Sequence, residues 1–167
     1  STGFYFEAES SYAYWNFRKG FADIQEEIYE MMMTEITKGI DGTDIKAGVI
    51  KLASSYNEIT PMEEIFFKAA ARVQKETGVV IITHTQQGTM GPQQADLLIS
   101  NGANPKKIAI GHMCGNTSVY YQTEVLKRGV YVNFDRFGLE GDLFHTPTDN
   151  ERMDVIKALI DKGYGSR

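Results

Sequence analysis

One cysteine, one tryptophan and only four prolines are present in this 167-residue chain. The lone Cys114 excludes an intramolecular disulfide and points to a reducing compartment. No stretch approaches the roughly 20 apolar residues that span a bilayer, and no charged segment followed by an apolar one opens the chain. A membrane partner is therefore not expected, and a cytoplasmic location is. Positive charge is also short: 17 Lys and Arg stand against 22 Asp and Glu, a net charge of -5. A nucleic-acid partner is not expected either, since it calls for a basic face to neutralise phosphates. Gly88, Gly91 and Gly102 lack the spacing of a phosphate-binding loop. No linker or low-complexity tract divides the chain. With 42% hydrophobic and 23% charged residues, it can bury one substantial core and act on a small molecule.

Three short runs then stand out: Gly48-Val49-Ile50-Lys51, Val80-Ile81-Ile82-Thr83-His84 and Ile108-Ala109-Ile110-Gly111-His112. Each is rich in β-branched residues and precedes a helical pattern, as a buried parallel strand does. Each ends in a potential metal ligand, which places Lys51, His84 and His112 at carboxyl ends of strands, the rim where α/β folds build active sites. The chain holds only three histidines, so two of them at equivalent strand ends form a pointed pattern.

A strand-like start, Ser1 to Phe6, leads into a loop rich in aromatics (Tyr12, Tyr14, Trp15, Phe17). Apolar residues from Phe21 to Ile36 recur at helical spacing, and Gly39 ends that helix. Strands are then expected over Ala47–Leu52, Val79–His84, Ile108–His112 and Val130–Asp135. The helices between and after them open at a capping box with proline (Thr60-Pro61-Met62-Glu63), near Gln93, near Val119 and at a second capping box (Thr148 to Glu151). Five βα repeats admit a doubly wound sheet of flavodoxin size or part of a (β/α)8 TIM barrel. The units average about 33 residues, so eight would give about 265, near the usual barrel length. The strand-like start without methionine, and an end where a further strand is due, favour an interior segment of a barrel.

Neutral imidazole is a common zinc ligand, which suits His84 and His112, although hydrogen-bonded structural histidines are the plain alternative. A lysine ammonium among Val49 and Ile50 is costly to bury. Lys51 must be paired with an acid, carboxylated by carbon dioxide into a metal-bridging group, or kept neutral for Schiff-base chemistry. Met31-Met32-Met33 reads as core filling, Cys114 as a free thiol and His145 as a solvated loop residue.

The set Ala47-Gly48-Val49-Ile50-Lys51, Ala69-Ala70-Ala71 with Glu76-Thr77-Gly78 before Thr83-His84-Thr85, Ile110-Gly111-His112, and Asn133-Phe134-Asp135-Arg136-Phe137-Gly138-Leu139 resembles, in order and spacing, the phosphotriesterase branch of the amidohydrolase superfamily. The resemblance implies a barrel with two divalent metal ions, zinc first with manganese or cobalt also suited, bridged by a carboxylated lysine and a hydroxide. Lys51 would be that lysine, and His84 and His112 ligands of the second metal. The family's first-strand His-x-His pair and eighth-strand Asp have no counterpart here. Residues 1–167 would then supply strands three to seven of a single domain, neither stable nor active alone.

Ser1-Thr2-Gly3-Phe4-Tyr5 and Asp135 to Leu139 are similar to rim segments of the phosphotriesterase-like lactonases. That similarity puts Tyr5 beside the metal centre and Arg136 facing substrate; the plain alternatives are a core tyrosine and a surface arginine paired with Asp135 or Glu140. The expected activity is a metal-dependent hydrolase, foremost a lactonase whose bridging hydroxide opens a lactone ester. A sugar-lactone phosphate, arylester or phosphotriester hydrolase is the nearest alternative. A Schiff-base lyase using Lys51 and a non-catalytic flavodoxin-like module come after it. The partner is a small lactone or ester, and a homodimer is left open.

Overall fold

The computed structural model describes residues 1–7, 12–140 and 146–167. Its strands β1 (Thr2–Gly3), β2 (Val49–Ser54), β3 (Val80–Thr85), β4 (Ile108–Ile110) and β5 (Tyr131–Val132) form one sheet in the order β1-β2-β3-β4-β5. Every neighbouring pair is parallel. Helices α1 (Ala13–Arg18), α2 (Ile24–Thr37), α3 (Pro61–Thr77), α4 (Gly91–Ser100), α5 (Val119–Leu126) and α6 (Asp149–Asp161) alternate with the strands. A flavodoxin-like sheet reverses its strand order so that helices cover both faces. Here the order never reverses, which is the winding of a barrel.

Packing of the strands against helices is one-sided. Ile50, Leu52, Ile81, Ile108 and Ile110 are buried in one core with Phe66, Phe67 and Val73 of α3, Leu98 of α4 and Val125 of α5. Register pairs Lys51 with Ile82 and Ala53 with His84, so these four residues share the opposite face. On that face Val80 and Tyr131 are exposed, Lys51, Ile82 and Ala109 half-buried, and Ala53 and His84, toward the strand ends, buried. One face of the sheet thus carries helices, and the other carries the candidate ligands.

Both expected capping boxes form. Thr60 accepts from the Glu63 amide at the start of α3, Thr148 does the same for Glu151 at the start of α6, and each glutamate returns the bond. Gly78 closes α3 in a left-handed conformation, φ 71°. Met32 is fully buried, with Met31 and Met33 packed beside it, as core filling requires.

Several expected boundaries need correction. Lys51 is not at a strand end: β2 runs on to Ser54 because Ala53 and Ser54 pair with His84 and Thr85. His112 lies beyond β4, in a left-handed conformation with φ 59° that no strand residue adopts. Strand β5 is likewise shorter than Val130–Asp135. Residues 13–18 form a helix in place of an aromatic loop, because Trp15 packs edge-on against Phe4 and Phe66 at 5.9 and 5.8 Å.

Candidate active site

The rim residues are set by backbone placement first. Gly3 pairs in register with Lys51, so Tyr5 emerges two residues beyond the neighbour of Lys51. The Tyr12 hydroxyl donates to the Tyr5 carbonyl at 2.5 Å. The buried Glu63 carboxylate accepts from the Glu7 amide at 3.0 Å and from the Ser55 amide and hydroxyl at 3.2 and 2.7 Å. One capping residue of α3 therefore ties the β1 loop to the end of β2. On the next strand, Gln94 of α4 donates to the His84 carbonyl at 2.9 Å and to Ser54 at 2.6 Å. Gly111 lets β4 approach β3, since a Cβ at that position would collide with the Thr83 carbonyl oxygen.

These placements bring three predicted site residues into direct contact. His84 is fully buried, with Nδ1 3.2 Å from the Tyr5 hydroxyl and Nε2 2.8 Å from the Gln86 amide oxygen. The rings of His84 and His112 lie 4.7 Å apart and edge-on. His112 Nδ1 is 2.8 Å from Asp135 Oδ1. Lys51 sits on the same sheet face one strand over, and among the described residues no carboxylate lies within ion-pair distance of it. The acid partner, one of the three alternatives for Lys51, is thus not found there.

Arg136 lines a cavity of about 320 Å³ together with Gln86, Gln87, Leu139 and Arg152. It shares that cavity with the residue that bonds His84, while Asp135 is engaged by His112. The alternative pairing of Arg136 with Asp135 is not what forms.

Electrostatics follow from burial. Desolvation drives the His84 imidazole down to about 4, helped by the charges of His112, Lys51 and Arg136, so the ring is neutral at pH 7. Desolvation also lowers Lys51, only partly offset by Asp135. Burial pushes Asp135 up, but its hydrogen bond to His112, the His112 and Arg136 charges and a backbone hydrogen bond together outweigh that and leave the carboxyl below its usual range. Burial raises the Cys114 thiol, which keeps it protonated.

The donor set suits metal ions in two respects and departs from a ready-made site in a third. A neutral buried imidazole is the ligating form, and an amine that burial disfavours as ammonium is the form that reacts with carbon dioxide. The left-handed backbone at His112 is a local strain of the kind found at functional sites. Among the described residues, however, no group of three or more His, Cys, Asp or Glu is arranged to hold an ion. Lys51 and its neighbours would have to complete the set.

Sequence reasoning missed Gln86 as the partner of His84 and Asp135 as the partner of His112. Gln86 lies two residues from its histidine and was discoverable. Asp135 is 23 residues from His112 and reaches it only through the β4–β5 register. His145 lies outside the described residues.

This winding and rim define an α/β barrel-type fold with an imidazole and lysine cluster on the face opposite the helices. The phosphotriesterase family model matches residues 1–167, and the chain belongs to that family. A solved variant of a phosphotriesterase-like lactonase from Deinococcus radiodurans is 58% identical, with TM-score 0.96 over 99% of this chain and 51% of that one. An aryldialkylphosphatase of Saccharolobus solfataricus is 36% identical over 143 residues, 85% of this chain and 44% of that protein. A phospho-furanose lactonase of Mycoplasmopsis synoviae is 38% identical over 149 residues, 83% of this chain and 41% of that protein. The chain spans about half the length of these relatives or less. No helix among the described residues is long and apolar enough to cross a membrane.

Proposed function

We propose that residues 1–167 are the interior segment, strands three to seven, of a single (β/α)8 barrel domain of a metal-dependent hydrolase, and that this hydrolase is a lactonase. The observation that carries the reading is the cluster on one sheet face: neutral His84 against Tyr5 and His112, with Lys51, which has no ion-pair partner among the described residues, on the adjoining strand. A family that is binuclear and metal-dependent, and a lactonase 58% identical over nearly the whole chain, support it.

In this reading Lys51, carboxylated by carbon dioxide, would hold divalent ions together with His84 and His112. The chemistry such ions would supply there is an acidified water for attack on an ester carbonyl. The protein's own groups do the rest. Tyr5 and Arg136 donate to substrate oxygens, where fixed donors help the transition state more than the ground state. Asp135 orients the His112 ring through Nδ1, as outer partners of metal-binding histidines do. A sugar-lactone phosphate is a second reading, favoured by the 38% identity to a phospho-furanose lactonase.

The test is metal content and lactone turnover in the full-length protein and in its His84→Ala and His112→Ala variants. We expect about two divalent ions per subunit, zinc, manganese or cobalt, which all suit imidazole and carboxylate ligands. Each substitution should lower metal content and activity together, and chelation should abolish turnover. Activity indifferent to chelators, with borohydride trapping of a carbonyl substrate on Lys51, would replace the hydrolase with a Schiff-base lyase.

A further inference from the structure

The turn that carries Arg136 is held by a cation the proposed chemistry does not use. Arg152, in the second turn of α6, has a side chain with 0% exposure. Its Nη1 donates to the Arg136 carbonyl and its Nη2 to the Leu139 carbonyl, each at 2.7 Å. Nη1 also meets Asp149 Oδ1 at 2.5 Å. The other oxygen of that carboxylate, Oδ2, accepts from the Gly138 amide at 2.8 Å. Three backbone groups of one four-residue turn therefore end on a single ion pair whose guanidinium is buried and whose carboxylate is partly exposed. Helix capping does not require this, because Thr148 and Glu151 already cap α6.

Burying a guanidinium is costly, and here its Nε has no partner among the described residues. A hydrophobic residue of similar volume would fill the same space without that cost. What it could not do is fix two carbonyl oxygens at once, which a planar forked donor does. Both Arg136 and Arg152 line the 320 Å³ cavity, so the held turn is the wall from which Arg136 works.

We propose that Arg152, locked by Asp149, is a positioning residue that sets the backbone of Arg136 and through it the preference for lactones over phosphotriesters. This rests on the reading of Arg136 as a substrate donor. A purely structural Arg152 would lower stability, or both activities alike. A positioning Arg152 acts only while Arg136 is present.

The experiment is a double-mutant cycle in the metal-loaded full-length protein. It measures kcat/KM for an aliphatic lactone and for a p-nitrophenyl dialkyl phosphate, with metal content as a check on integrity. The variants are Arg136→Ala, Arg152→Met and the double substitution. Arg152→Met should lower lactone kcat/KM by up to about 10²-fold, the scale of a misplaced donor, with a much smaller loss on the phosphotriester. In the Arg136→Ala background the same change should cost little more on the lactone. Losses that multiply, or that fall equally on both substrates in Arg152→Met, overturn the positioning role. Equal losses in Arg136→Ala itself overturn the donor reading beneath it. If Arg152→Met does not fold, the milder Asp149→Asn decides. It should show the same lactone-selective loss, dependent on Arg136, and an unchanged lactone kcat/KM would overturn the proposal.

Discussion

His84 and His112 were legible from sequence because each follows a β-branched run, and parallel strands aim such residues at one rim. Their hydrogen-bond partners were not. Asp135 meets His112 across a strand pairing, and Gln86 turns back on His84 from a loop whose next residue, Gln87, is left-handed at φ 52°. Local pattern carries no signal for the Asp135 contact, whereas Gln86 stands only two residues from its histidine. Cys114 shows the converse, a residue whose type suggests reactivity and whose environment removes it. It is 1% exposed, and burial raises its pKa, so the thiolate is scarce at neutral pH. Alkylation by iodoacetamide at pH 7 should therefore run at least about tenfold slower than for a free thiol with its reference pKa near 8.5, and should speed up on unfolding. Rapid labelling of the native protein would show that Cys114 is reachable after all.

At the scale of elements, the capping boxes at Thr60 and Thr148 were read correctly because they are contained in four consecutive residues. Strand ends were read less well. Lys51 was expected to close its strand, yet pairing with β3 carries β2 three residues further, a tertiary effect that propensity does not encode. The aromatic segment around Trp15 became helical for the same reason. Gly111 marks where two elements must touch. Any side chain there meets the Thr83 carbonyl, so Gly111→Ala should destabilise the full-length protein by about 1–3 kcal/mol, the range for overpacking a filled interior. Denaturant unfolding measures this. A stability equal to the parent's would mean that β3 and β4 separate without cost.

For the whole molecule, the continuous strand order and the one-sided helix packing argue together. Five parallel strands packed by helices on one side leave the Lys51 and His84 face without helices, and we take that face to be the inside of a barrel the rest of the protein closes. The repeat of strand and helix was readable from hydrophobic periodicity. The choice between an open sheet and a barrel needed the strand order, which no local window contains.

The central claim is that Lys51, His84 and His112 form one carboxylated-lysine metal centre. It is tested most directly by an anomalous-diffraction structure of the full-length, metal-loaded protein. The account predicts two anomalous peaks bridged by extra density on Lys51 Nζ, with His84 and His112 on one of them. A bare Lys51 ammonium paired with an acid, and no metal at either histidine, would contradict it.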